Sequence, residues 1–226
     1  MNKRTNNDCD EYMSIEPFML TGKPVGIEYS TNIDEAFSHP KQFEHIVYAL
    51  DNASESDVFT LNLTTPGGRL DAVLPLLGAM ENTQAHVHVH ACSDVASAGT
   101  FLLMRADSVS MNEWTTVMCH NVSFGSGGSG WNVEKHVEHT LKASKRLLRD
   151  VYQFFFSEAE INQMLTGTDF YMDREEFVER YQKRSELMEA ALVAAVEESE
   201  QAETKPARKP RVKKLPKEVV DTIPEL

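Results

Sequence analysis

With 226 residues, 41% of them hydrophobic and 25% charged, the chain can fill one buried core and still leave a tail, which excludes a collagenous, low-complexity or wholly disordered polypeptide. No apolar run approaches the roughly 20 residues that cross a bilayer, and Met1 to Asp10 lacks the apolar stretch of a signal peptide, so the expected location is cytoplasmic. The net charge of −13 divides unevenly: residues 205–226 hold seven Lys or Arg against three acids, +4, so residues 1–204 carry −17 and only the tail could attract nucleic acid.

Residues 1 to 14 are polar and read as a flexible segment. Pro17–Leu20 reads as a first short strand closed by Thr21-Gly22-Lys23-Pro24. Ile33 to Leu50 carries Ile33, Phe37, Phe43, Ile46, Val47 and Leu50, with helical spacing in its second half, after Pro40. Val58–Leu63 alternates as a strand and runs into Thr64-Thr65-Pro66-Gly67-Gly68, a turn of the type that brings backbone close to a ligand. The helix that follows is expected to bury Leu70, Val73, Leu74 and Leu77. Pro75 should kink or shorten it.

His86-Val-His-Val-His90 predicts a strand with its valines on one face and its histidines on the other. Ser108–Met111 and Thr115–Cys119 are two further strands, and Gly125–Gly130 has linker composition. The longest helix is predicted over Val133–Phe156, with Val133, Val137, Leu141, Leu148, Tyr152 and Phe155 recurring at helical spacing. Its apolar stripe, with Phe154, Phe155 and Phe156 clustered at its end, is a candidate interface. Ser157 and Glu160 have capping-box spacing, and Gly167 is placed to end the short helix they start. Asp169–Met172 fits an extended piece. Asp173 and Glu176 repeat the cap spacing and open a helix to about Ala195, beyond which four prolines and many charges predict disorder. Strands alternating with helices favour an α/β fold.

The chemistry concentrates at Cys92 to Met104, where a strand-like run ends in small residues and an apolar helix begins. A serine there, Ser97, stands clear of the backbone between Ala96, Ala98 and Gly99. It reads either as a nucleophile or as the N-cap of the helix. A nucleophilic serine needs a base, an orienting acid and oxyanion donors. His120 follows a strand as Ser97 does, Gly67 and Gly68 end a third strand, and Asp169 lies on a loop. Asp173 is a second candidate acid, although its cap spacing explains it without chemistry.

Other signals have plainer readings. His86, His88 and His90 recur at about 6.6 Å, so the outer two are about 13 Å apart. That is too far to share one ion with bonds of about 2.0 Å, and the row reads as a solvated or interface face. Cys9, Cys92 and Cys119 form no CxxC pair and read as reduced thiols. Cys119, beside His120, would point to the opposite face of a strand. No cofactor and no metal are expected.

Four segments together resemble the proteolytic subunit of the Clp protease, in that family's order and at nearly its spacing. Thr65-Pro-Gly-Gly-Arg69 is similar to its Ser-Pro-Gly-Gly turn, and Val95-Ala-Ser-Ala-Gly99 followed by Thr-Phe-Leu-Leu to its nucleophile segment. Met118-Cys-His120 is similar to its Met-Ile-His, and Thr168-Asp-Phe-Tyr-Met172 to its Arg-Asp-Phe-Phe-Met. The resemblance spans about Pro17 to Arg180. It implies a crotonase-like α/β fold of repeated β-β-α units in a superhelix, with the helix at 133–156 as a protruding handle that joins two rings. It also implies Ser97 as nucleophile, His120 as general base, Asp169 as the orienting acid, and the backbone N–H groups of Gly68 and Ala98 as the oxyanion hole. Ala98 stands where the family has methionine, which keeps the donor and widens the pocket.

The implied organisation is a flexible segment at 1–14, a peptidase domain at 15–184, and a helix extension with a disordered basic tail at 185–226. The implied activity is serine endopeptidase hydrolysis of unfolded proteins or peptides inside a homo-oligomeric ring or double ring. An ATP-driven unfoldase is the implied partner, against which stands the short segment before the first strand. Alternatives are a capsid-maturation or signal-peptide-peptidase-like protease working without an unfoldase, and a non-catalytic ring subunit. The basic tail reads as a solvated extension or as a tether to an anionic partner such as nucleic acid.

Overall fold

Alternation of apolar and polar residues builds the centre of this computed structural model, which describes residues 26–203, with side chains described as far as Val196. The 1–14 segment, the Pro17–Leu20 strand, Cys9 and the basic tail from Lys205 lie outside the described residues. In β2 (Val58–Thr65) Phe59, Leu61, Leu63 and Thr65 are buried while Thr60 and Asn62 face away. In β3 (His86–Ala96) Val87, Val89, Ala91 and Val95 are buried and the three histidines take the other face.

β1 (Glu28–Ile33) pairs in parallel with β2, and β2 with β3. Two strands share the far flank of β3: β4 (Ser108–Met111) pairs in parallel with His88–Ala91, and β5 (Val117–Cys119) with Val95 and Ala96. β6 (Phe170–Met172) closes the sheet antiparallel to β5, giving the order β1-β2-β3-β5-β6 with β4 beside β3. Between Leu63 and Thr65 the register of β2 on β3 shifts, leaving Ser93 and Asp94 exposed as the strand turns toward the site.

Helices α1 (Glu44–Asp51), α2 (Leu70–Asn82) and α3 (Gly99–Arg105) alternate with the strands, and α4 (Gly130–Val151), α5 (Glu158–Leu165) and α6 (Arg174–Glu203) follow. Ile46, Leu50, Val73, Leu76, Met80, Leu102 and Leu103 join the inward strand residues in one apolar cluster, so the fold is α/β around a central sheet. No helix among the described residues is long and apolar enough to cross a membrane.

Several elements depart from the sequence expectations. β1 falls where no strand is predicted and takes in Ile33, while the second half of the Ile33–Leu50 segment is helical as expected, in α1. In α2 the buried face is Ala72, Val73, Leu76, Leu77, Ala79 and Met80, while Leu74 is exposed. Pro75 does not shorten α2, because Pro75 and Asp71, whose carbonyl loses its helical partner, both lie on the solvent side where water serves instead.

α4 stops five residues before Phe156. Tyr152 N–H still reaches Leu148 O at 3.0 Å, but Phe154 then turns left-handed with φ of 64°, which sends Phe155 and Phe156 into the core. Those two rings are therefore 4% exposed, and the phenylalanine cluster is mostly core instead of interface. Leu148 is likewise buried, whereas the N-terminal two-thirds of α4, with Trp131 and Leu141, stands exposed.

α6 runs on to Glu203, so Glu197–Glu203, expected to be disordered, are helical. Glu, Gln and Ala are good helix formers, and the first proline comes only at Pro206. Its first half is anchored on the end of α3, where Arg184 Nη2 donates to Met104 O at 2.8 Å and Tyr181 Oη donates to Ala106 O at 3.2 Å.

Candidate active site

The site begins with a buried threonine at the end of β2. Thr65 Oγ1 donates to Glu35 O at 2.6 Å and accepts Gly67 N–H at 3.1 Å, which fixes the turn beyond the strand. Gly67 and Gly68 follow with φ of 82° and 141°, values that L side chains rarely adopt. Space demands glycine as well. A Cβ on Gly67 would stand 2.7 Å from Ser97 Cβ, and one on Gly68 would stand 2.3 Å from Phe37 O. The turn is thus pressed directly against the serine.

Ser97 directly follows β3 with φ of 55°, a left-handed conformation for a residue with a Cβ. Its N–H donates to Met118 O at 2.8 Å, which ties it to β5 two residues before His120. His120 Nε2 lies 2.7 Å from Ser97 Oγ. The N-cap of α3 is Ala98, with no side-chain cap bond, so Ser97 does not serve as the cap and its hydroxyl is engaged by the histidine. Gly67 N–H is taken by Thr65, and neither Gly68 N–H nor Ala98 N–H has a partner among the described residues.

Asp169 is placed close by without joining the pair. In the β5–β6 ladder Cys119 faces Phe170, so the next antiparallel step sets His120 opposite Asp169. Asp169 is exposed, and no hydrogen bond links it to His120 among the described residues. Asp173 is a cap: its Oδ1 accepts Glu176 N–H at 2.9 Å at the start of α6. Cys119 faces the opposite way from His120 and is fully buried, and burial pushes its thiol up to about 12 against the pull of the Tyr152 and Thr100 hydroxyls. It stays a thiol at neutral pH and is no nucleophile.

The histidine strand holds an unforeseen arrangement. Ser108 Oγ bridges His86 Nε2 and His88 Nδ1, each at 2.8 Å, and Ser110 Oγ bridges His88 Nε2 at 2.8 Å and His90 Nδ1 at 2.7 Å. The parallel register, His88 beside Ser108 and His90 beside Ser110, produces this alternation. A groove of about 710 Å³ between the end of α4, α5 and α6 includes neither Ser97 nor His120. It is lined by Phe154, Ile161 and the Arg180–Glu160 ion pair, and its serine, Ser157, is the N-cap of α5, with its hydroxyl donating to Glu160 Oε2 at 2.8 Å in the capping box.

Sequence reasoning missed Thr65, Thr100 and Tyr152, all buried around the pair. Thr65 could have been found as the residue two before a glycine whose N–H needs an acceptor. Thr100 and Tyr152 lie 52 residues apart and share no local pattern.

The arrangement offers a hydroxyl on a base, beside backbone donors, on a strand-to-helix turn. Independently of this geometry, the family model for Clp protease matches residues 20–181, well over half of the chain. The chain therefore belongs to the Clp protease family and is a peptidase of that kind.

Proposed function

We propose that the protein is a serine endopeptidase that hydrolyses peptide bonds of unfolded proteins or peptides. The observation that carries this is the 2.7 Å approach of His120 Nε2 to Ser97 Oγ on a turn walled by Gly67 and Gly68. In the first step Ser97 Oγ attacks the scissile carbonyl carbon and its proton passes to His120 Nε2. The negative charge on the carbonyl oxygen meets the N–H groups of Gly68 and Ala98. The C–N bond then breaks as the imidazolium gives its proton to the leaving amine, leaving an ester on Ser97. Water, deprotonated by the same nitrogen, releases the acid and restores the serine.

For Nε2 to accept, the ring must carry its proton on Nδ1. Asp169, opposite His120 in register, is the acid proposed to hold that proton, through a side-chain rotation that brings the carboxylate to the ring. The finer architecture belongs to the same proposal: a crotonase-like superhelix of β-β-α units with α4 as the handle. Support comes from the exposed N-terminal part of α4, which leaves Trp131 and Leu141 free to meet another copy in a ring or double ring.

The test is a fluorophosphonate probe with peptide mapping, alongside ester hydrolysis. Ser97 should be labelled, and Ser97→Ala and His120→Ala should each abolish hydrolysis, with the double variant scarcely worse. Labelling at another serine, or full activity in Ser97→Ala, would refute the assignment.

A further inference from the structure

Beneath Ser97 lies a pair of hydroxyls that the proposed steps do not use. Thr100 and Tyr152 are both 0% exposed, and their hydroxyl oxygens are 2.7 Å apart. Thr100 Oγ1 is also 2.7 Å from the carbonyl oxygen of Ser97. A carbonyl only accepts, so the single Thr100 proton goes to Ser97, and the Tyr152 hydroxyl must then donate to Thr100. With both of these bonds made, the direction runs Tyr152 to Thr100 to Ser97, and the buried Cys119 thiol beside the two hydroxyls is left as a donor to them. The same carbonyl accepts Thr100 N–H at 3.0 Å, so with its own N–H on Met118 both backbone groups of Ser97 are held.

Packing does not account for these hydroxyls. Valine and phenylalanine have nearly the shapes of threonine and tyrosine, and replacing both partners of a buried hydrogen bond by apolar groups of like shape is close to neutral. A buried hydroxyl also costs free energy unless it is bonded. The tyrosine ring is itself fixed, with edge contacts to Phe101 at 5.8 Å and Phe156 at 5.3 Å between centroids. What the pair does is load one atom, the carbonyl of a residue whose φ of 55° an L side chain resists. Released, Ser97 would relax toward ordinary φ and carry Oγ off the line to His120.

We propose that Thr100 and Tyr152 are positioning residues for the nucleophile: Tyr152 orients the Thr100 hydroxyl, and Thr100 clamps the Ser97 carbonyl and with it the backbone that aims Oγ at His120. This rests on Ser97 being the nucleophile, so the test includes a readout that needs no catalysis.

The variants are Thr100→Val, Tyr152→Phe, their combination, and Thr100→Ser, which keeps the hydroxyl. Each is measured for kcat and KM on a short peptide ester, for melting, and for amide hydrogen exchange at Ser97 against β2. Thr100→Val and Tyr152→Phe should each lower kcat about tenfold or more with KM changed less than about twofold, and Thr100→Ser should restore most of it. The double variant should melt close to the parent and still be slow. Exchange at Ser97 should rise about tenfold in the double variant while β2 is unchanged. Parental kcat with parental exchange at Ser97 in the double variant would overturn the proposal. So would a uniform rise in exchange with a matching fall in melting temperature, which marks a purely structural pair. If Ser97→Ala retains activity, the serine assignment falls by itself, and exchange at Ser97 still decides whether the clamp exists.

Discussion

Gly67 makes the space that Ser97 occupies: a Cβ at residue 67 would lie 2.7 Å from Ser97 Cβ and 2.5 Å from Ala96 O. Both neighbours are short and one is backbone, so neither can swing aside. Gly67→Ala should therefore cost about 2 kcal/mol or more in denaturant unfolding, from a strained φ added to the overlap. It should also abolish hydrolysis. A stable, active Gly67→Ala protein would show that the turn is not pressed on the serine.

The left-handed backbone at Ser97 predicts a reversal of the usual ranking of glycine and alanine. Ser97→Ala and Ser97→Gly both lack the hydroxyl and should both be inactive, so comparing them isolates the backbone. Glycine adopts φ of 55° freely, whereas alanine pays about 1 kcal/mol there. Ser97→Gly should thus be the more stable of the two by about that amount in equilibrium unfolding. Alanine proving more stable would contradict the strain.

The histidine row predicts a pH dependence separate from catalysis. Burial first, then the nearby His90 and His86, holds His88 below the ordinary value of 6.5. Ser108, Ser110, Thr60 and Asn62 flank it, and the Asp107 carboxylate lies 3.9 Å from the neighbouring His86. A depressed base binds fewer protons folded than unfolded, so stability should decline as pH falls below about 6.5. His88→Gln should flatten that slope in melting experiments between pH 5 and about 7. An identical slope in the variant would place the effect elsewhere.

A second window lies at lower pH. Asp57 accepts Ile27 N–H at 2.7 Å, Ser54 N–H at 2.7 Å and the Ser54 hydroxyl at 2.9 Å, and these bonds, the Ile27 one foremost, hold its carboxyl below 3.8. The stability it contributes is present above the ordinary carboxylate value and is lost as pH falls through the lower folded one. Asp57→Asn should remove this part of the acid limb and loosen the entry to β1, visible as faster exchange at Ile27.

The two leucines of α4 should behave differently. Leu141 is exposed and Leu148 is at 0%. Leu141→Glu should leave the fold within about 0.5 kcal/mol and lower the particle mass in light scattering if α4 joins copies. Leu148→Glu should unfold the chain by burying an unpaired charge, at about 3 kcal/mol or more. A folded, dissociated Leu148→Glu protein would reverse these roles.

How much of this was legible depended on whether the signal was local. β4 and the α5 cap follow from period-two alternation and from Ser157 with Glu160, which form the capping box as spaced. β1 was hidden because its outward residues Glu28, Ser30 and Asn32 are polar and its inward Tyr29 and Thr31 only half-buried. The end of α4 was overrun because Tyr152 and Phe155 keep helical spacing after the helix has stopped. At the site, Ser97 and His120 stood out from small residues and strand ends. Asp169 lies opposite His120 in register with no hydrogen bond to it among the described residues, a side-chain detail that no spacing encodes.

The polar face of the sheet has one more consequence. Parallel sheets are ordinarily covered on both sides, yet among the described residues the face formed by Ser30, Asn32, Thr60, Asn62 and the histidines carries no helix. Its groups satisfy one another: Asn62 Nδ2 donates to Ser30 Oγ at 3.2 Å and Asn32 Oδ1 at 3.1 Å, and the imidazoles share the two serines. A surface on which many side chains already share hydrogen bonds strands fewer partners when water leaves, and it exposes little apolar area to aggregate. Covering such a face would be driven by shape and polar fit, not by the hydrophobic effect.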